Sequence, residues 1–135
     1  MKKSVSVLCI LFLLGCARGA NDPAEQALVQ LNQAVVSGRP TAFLKQLSPN
    51  MLQEVTTRLG LPKNSGIERV SERLVLVPGI GFEKIQSFKP RLIRERSNRT
   101  ERWYKVHLGD LKLQIPVRKF GEEWRVALNE ALIDG

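Results

Sequence analysis

The chain changes its hydrophobic period half-way along. Ala24, Ala27, Leu28, Leu31, Ala34 and Val35 recur at three- and four-residue spacing, which lays one apolar stripe along a helix. Asp22 is a good N-cap, and Pro23 suits the first helical position, where its missing N–H has no partner to lose. Gly38 closes this helix and Pro40 prevents its resumption. Thr41 caps a short second helix whose apolar set is Phe43, Leu44 and Leu47. Ser48-Pro49 repeats the cap-then-proline start, and Met51, Leu52, Val55 and Leu59 form a third stripe that Gly60 ends. Ser65-x-x-Glu68 has the form of a capping box and predicts a fourth helix from Gly66 to about Leu74.

Beyond these helices the period falls to two. Arg91 to Arg96, Arg102 to Leu108, Leu111 to Arg118 and Glu123 to Leu128 alternate as strands, and a further strand is predicted over Phe82 to Phe88. Leu111, Leu113, Ile115 and Val117 point one way; Lys112, Gln114, Pro116 and Arg118 point the other. Turns fall at Ser97-Asn98-Arg99, Gly109-Asp110 and near Gly121, which makes an antiparallel meander. Pro116 cannot donate to a ladder, so its strand is expected at an edge or with a bulge. Helices followed by a run of antiparallel strands give an α+β fold, with the helices on one face of a curved sheet.

The start of the chain follows another logic. Met1-Lys2-Lys3 is positive, and Val5 to Leu14 is an almost unbroken apolar run, shorter than the roughly 20 residues that cross a bilayer. Such a pattern predicts a secretory signal. Leu13-Leu14-Gly15-Cys16 resembles the lipobox of bacterial lipoproteins. That resemblance implies a signal peptide over residues 1–15, removed before Cys16, and a diacylglycerol on the Cys16 sulfur. With Ala17 after the cysteine, it also implies export to the periplasmic side of the outer membrane, the inner membrane being the alternative. Cys9 is lost with the signal, so Cys16 is the sole remaining cysteine and has no intramolecular partner. Residues 16–22 then read as a lipidated tether rich in turn formers, and residues 23–135 as one domain.

Composition narrows the function. The 135 residues suffice for one small domain and exclude a doubly wound nucleotide-binding fold or a barrel enzyme. Lys and Arg number 21 against 13 Asp and Glu, a formal charge of +8, of which Lys2 and Lys3 lie in the removable segment. A basic balance invites nucleic acid, anionic lipid or acidic partners; export excludes nucleic acid on grounds of compartment.

The closing half carries a second resemblance. Trp103-Tyr104-Lys105-Val106, then Leu111 to Val117, then Gly121-Glu122-Glu123-Trp124-Arg125-Val126 follow Leu47-Ser48-Pro49-Asn50-Met51 in an order that resembles the NTF2-like (cystatin-like) α+β cone, especially its small bacterial lipoproteins. The resemblance covers about Pro23 to Leu132. It implies helices on a curved sheet, a homodimer through that sheet as one expectation, and no single function, because isomerases, dehydratases, assembly subunits and binding modules share the fold.

Candidate chemistry is sparse. A metal centre needs convergent ligands, and the chain holds one histidine, His107, with its one retained cysteine assigned to lipid; no metal and no cofactor are expected. A cone-type base would come from His107, Tyr104 or Asp110. Strand parity puts His107 with Trp103 and Lys105, Tyr104 with Val106 on the opposite face, and Asp110 in a turn, so no catalytic set forms and His107 reads as a surface residue. Trp124 goes to the core with Val126 and Leu128, whereas Trp103 is expected half-exposed among lysine and arginine stems.

Lys89, Arg91, Arg94, Arg96, Arg99 and Arg102 fall within fourteen residues, with Glu95 and Glu101 between them. Arg91, Arg94, Arg96, Arg99, Arg102 and Trp103 are therefore the candidate contacts to anionic headgroups or an acidic partner. The expected function is a non-enzymatic, lipid-anchored binding or assembly module for an envelope partner. The alternatives are a small-molecule cone, either carrier or isomerase/lyase-type enzyme, and an immunity-type lipoprotein acting against a toxin. Cys16→Ser should move the protein out of the membrane fraction or leave an uncleaved precursor, as read by fractionation and immunoblotting; unchanged processing would remove the anchor.

Overall fold

The computed structural model describes residues 22–77 and 81–134. The predicted signal, Cys16 and most of the tether lie outside the described residues. Among the described residues four helices, α1 (Pro23–Ser37), α2 (Pro40–Lys45), α3 (Pro49–Arg58) and α4 (Ile67–Arg73), precede the strands β1 (Arg91–Leu92), β2 (Glu101–Leu108), β3 (Leu111–Phe120), β4 (Glu123–Val126) and β5 (Leu132–Ile133). The strands form one antiparallel sheet in the order β1-β2-β3-β4, with β5 also on β3. The fold is α+β. No helix among the described residues is long and apolar enough to cross a membrane.

Helix α1 has the ends that its sequence specifies. Asp22 accepts a hydrogen bond from the Ala24 N–H at 3.1 Å, and Pro23 opens the first turn. At the other end Gly38 turns left-handed at φ 67°, so that the Gly38 and Arg39 N–H groups reach the Val35 and Ala34 carbonyls. Ser48 likewise caps α3, accepting from the Met51 N–H at 3.3 Å. Pro40 differs from expectation: it is the first residue of α2, as suits a proline, and Arg39 takes the cap position without a side-chain bond. The predicted capping box also fails. α4 begins one residue late, at Ile67, so Gly66 is the cap and Ser65 lies one position too early to reach the third helical N–H.

The two hairpins form as predicted. β2 and β3 pair without a slip from Glu101↔Arg118 to Leu108↔Leu111, and Gly109 supplies the positive φ, 63°, at the head of the two-residue turn. Pro116 nevertheless sits in the central strand, opposite Trp103, with no bulge. It is tolerated because its nitrogen faces the gap where β4 has ended and β5 has not begun; there its carbonyl accepts from the Ala127 N–H at 2.9 Å. The single turn Leu128–Glu130 carries the chain across that gap to β5, a strand not foreseen.

Two predicted strands are corrected. Phe82 to Phe88 is a loop with one tight turn, Ile85–Ser87. Its backbone is taken up by α1: the buried Asn32 side chain donates to the Glu83 carbonyl at 2.9 Å and accepts from the Phe82 N–H at 2.7 Å. Gly81 lies so close to α1 that a Cβ there would come within 2.6 Å of the Val36 side chain. Arg91 to Arg96 is a strand only over its first two residues and then a turn, Arg94–Arg96. There the Ser97 hydroxyl donates to the Ile93 carbonyl at 2.7 Å and accepts from the Trp103 N–H at 3.0 Å, which interrupts the ladder.

The core lies between the helices and one face of the sheet. Leu28 and Leu31 of α1, Leu44 of α2 and Val70 of α4 are closed off completely, as are Leu47, Ile115, Val117 and Val126, with Tyr104 nearly so. The segment Gln46 to Ser48 runs beside β4, its Gln46 carbonyl accepting from the Val126 N–H at 2.6 Å and its Ser48 N–H donating back to the Val126 carbonyl at 2.9 Å. That covers an edge which would otherwise be open to other strands. Asn32→Ala would leave the Phe82 N–H without its acceptor. It should cost about 2 kcal/mol in chemical unfolding and speed hydrogen exchange at that amide, while exchange in β2 and β3 stays protected; unchanged exchange at Phe82 would refute the clamp.

Candidate functional site

The two faces of β2 lead to different surroundings. Arg102, Tyr104 and Val106 turn towards the helices. Glu101, Trp103, Lys105 and His107 turn to the other face, joined in register by Arg91 of β1 and by Lys112, Gln114, Pro116 and Arg118 of β3. His107 is exposed and Tyr104 is buried beneath α1, so the two stand on opposite sides of the sheet. Burial, reinforced by the carboxylates of Asp22 and Glu25, pushes the Tyr104 phenol above its ordinary range. Among the described residues no three His, Cys, Asp or Glu side chains group as metal ligands.

The arginines of the predicted patch are dispersed. Arg102 pairs with Asp22 and lies over the Trp124 ring at 5.2 Å. Arg96 stacks on Trp103 at 3.9 Å and donates to the Gln114 side chain at 2.6 Å. Trp103 corrects the expectation of a half-exposed anchor. It is 7% exposed, covered by Arg96, and its Nε1–H donates to Glu101 at 2.6 Å. Arg94 and Arg99 are exposed and join no ion pair among the described residues, but they sit on a tight turn and a loop tip rather than on one strand face. Arg91 lines the cleft described below. Trp124 is half-buried against the core, as expected.

Around Trp103 the charges are matched. Arg118 donates to Glu101 at 3.1 Å and grips Glu130 with two nitrogens, each at 2.7 Å. Hydrogen bonds from Trp103 and then Arg118 hold the Glu101 carboxyl below its ordinary value, and Glu130 above all raises that of Arg118. Arg125 pairs with Glu123 at 2.6 Å. This end of the open face is a neutralised lattice.

The other end is not. A cleft of about 520 Å³ is lined by Glu83, Phe88, Lys89, Arg91, Lys105, Val106, His107, Lys112 and Asp134. Strand register brings Arg91 beside Lys105 and Lys112 beside His107. The Asn32 clamp delivers Glu83 and, six residues on, Lys89. Asp134 arrives because its N–H donates to the Lys112 carbonyl at 2.7 Å. Its carboxylate reaches the Lys105 ammonium at 3.7 Å, and Glu83 reaches His107 Nδ1 at 3.6 Å. Lys89, Arg91 and Lys112 join no ion pair among the described residues. Four cationic side chains thus face two carboxylates, and the buried residues Phe88 and Val106 also border the cleft.

The cleft also has a position relative to the chain's entry. Arg102 meets Asp22, where the described chain begins, and His107 lies five residues along β2, or about 17 Å away. Asn32 lies ten residues along α1 from Asp22, about 15 Å. The cleft therefore occupies the end of the domain opposite Asp22. No family model, no curated protein and no solved structure matches this chain, so the residues gain their roles from this geometry alone.

The sequence singled out Arg91 but not Lys105, Lys112 or the two carboxylates. Alternation already placed Lys105 and His107 together, and the Gly109 turn placed Lys112 across from His107. The contribution of Glu83 and Asp134 depends on tertiary contacts. Glu101→Gln should lower stability at neutral pH by about 1 kcal/mol. Because the fold depresses this carboxyl, its contribution is complete above the unfolded value of 4.5 and fades as pH falls through the lower folded value. Melting temperatures of the two proteins should thus converge in acid; a gap that persisted there would refute the assignment.

Proposed function

We propose that this chain is a non-enzymatic binding module, tethered to the periplasmic side of the outer membrane through lipidated Cys16, which docks an anionic envelope partner at the basic cleft. The lipobox-like Leu13-Leu14-Gly15-Cys16 supports the tether. The observation that carries the binding role is the filled interior. Leu28, Leu31, Leu44 and Leu47 meet Tyr104, Ile115, Val117 and Val126 where a carrier or an isomerase of the cone type would keep its ligand chamber. Recognition is then left to the surface, and the cleft is where unpaired cations converge.

Its place supports the same reading. A short tether entering at Asp22 holds that end towards the lipid and turns the cleft outward, where a partner in the periplasm can reach it. The arginines nearer the entry, Arg99 and Arg102, stand on the membrane side, and Arg102 is already engaged by Asp22.

A photo-crosslinking residue in place of Lys112, in the full chain expressed in cells, should trap one discrete partner. The same probe at Arg58, exposed on α3 away from the cleft, should trap none. Equal, diffuse labelling from both positions would reject the cleft as the docking site. Crosslinks that persist in a Cys16→Ser background would show that docking does not require the tether.

A further inference from the structure

The geometry points to a phosphate group as the chemistry that the basic cleft recognises. This rests on the reading of the cleft as the binding surface and names what it takes. Lys89, Arg91 and Lys112 come from three separate segments, a loop, β1 and β3, and are directed to one cavity. A solvated charged face spreads its cations apart; here the sheet register and the Asn32 clamp gather them. Asp134 is engaged by Lys105 and Glu83 lies 3.6 Å from His107 Nδ1, while Lys89, Arg91 and Lys112 join no ion pair among the described residues.

The surplus suits a doubly charged tetrahedral group better than a single carboxylate. Four cations against two carboxylates leave a formal excess of two with His107 neutral, and a phosphate monoester carries about −1.5 to −2 at neutral pH. Arg91 offers a planar fork that spans two phosphate oxygens, and the two free ammonium groups act as point charges on either side. The buried ring of Phe88 borders the cleft, whereas the Val106 side chain turns to the helices on the other face of β2. Asn32 is a positioning residue here, acting through the loop that carries Glu83 and Lys89.

A doubly charged phosphate is present in inorganic phosphate and in the monoester headgroup of phosphatidic acid, and soluble probes separate the two sources. The full-length chain in an uncharged detergent is titrated by calorimetry at low ionic strength with inorganic phosphate, with glycerol 3-phosphate as the headgroup mimic, and with succinate as a dicarboxylate of similar charge. One saturable site is expected for the phosphates, with affinity falling as salt rises. Glycerol 3-phosphate binding about tenfold tighter than phosphate assigns the site to headgroups; parity assigns it to free phosphate. The combined Lys89→Gln, Arg91→Gln, Lys112→Gln variant should lose about tenfold or more in affinity, while Lys63→Gln, outside the cleft, keeps it. All three altered side chains are exposed, and circular dichroism of the variant verifies the fold.

Absence of saturable binding below about 1 mM, equal affinity for succinate, or full affinity in the triple variant would each overturn the proposal. Failure here with a persistent Lys112 crosslink would leave the docking role standing and reject only phosphate. Phosphate binding without a crosslink would do the reverse.

Discussion

A single buried amide organises the cleft end of this molecule. Asn32 stands within the apolar stripe of α1, fully closed from solvent, and satisfies both a donor and an acceptor of a chain segment about fifty residues away. A buried amide without partners is expensive, so the helix and the loop are bound to each other by the cost of parting. Gly81 makes the close approach feasible. With the loop held on α1, Phe82 stacks on Phe88 at 5.9 Å, Phe88 is buried, and Glu83 and Lys89 face the end of β2. The cleft is assembled from the helix outward as much as from the sheet.

The contrast between the two ends of the open face follows from where carboxylates are available. Near Trp103, the chain supplies Glu101 from β2 and Glu130 from the turn before β5, and Arg118 takes both. Near His107, Glu83 and Asp134 arrive, and of these Asp134 is paired with a lysine, Lys105. Net charge alone does not separate these regions. The formal +8 counts cations along the whole chain, and only pairing shows which of those described are left without a carboxylate.

How far this was legible depends on the reach of each interaction. Helix ends set by Asp22, Gly38 and Ser48, and hairpins set by Gly109 and Gly121, depend on contacts a few residues apart, and they form where the pattern places them. Parity assigned Tyr104 and His107 to opposite faces for the same reason. Failures came where a distant or side-chain partner displaced a ladder. Phe82 to Phe88 alternates like a strand but satisfies its backbone on α1, and Ser97 breaks the ladder after Ile93. Pro116 looked like an edge residue because the gap between β4 and β5 has no local signature. Trp103 looked half-exposed because its cover, Arg96, reaches it from a turn that the sequence presented as strand. Asn32 itself carried a signal, a polar residue inside an apolar stripe, but nothing nearby named its partner.

The Asp22 carboxylate has a mechanical meaning. It caps α1 through one oxygen and meets Arg102 of β2 through the other. Tension arriving along the chain at this residue is therefore divided between the first helix and the sheet at once. A chain end fixed to the helix alone would fray it turn by turn under load, whereas here peeling the first turn also requires parting an ion pair rooted in the longest hairpin. A pull on Asp22 would thus load helix and sheet together.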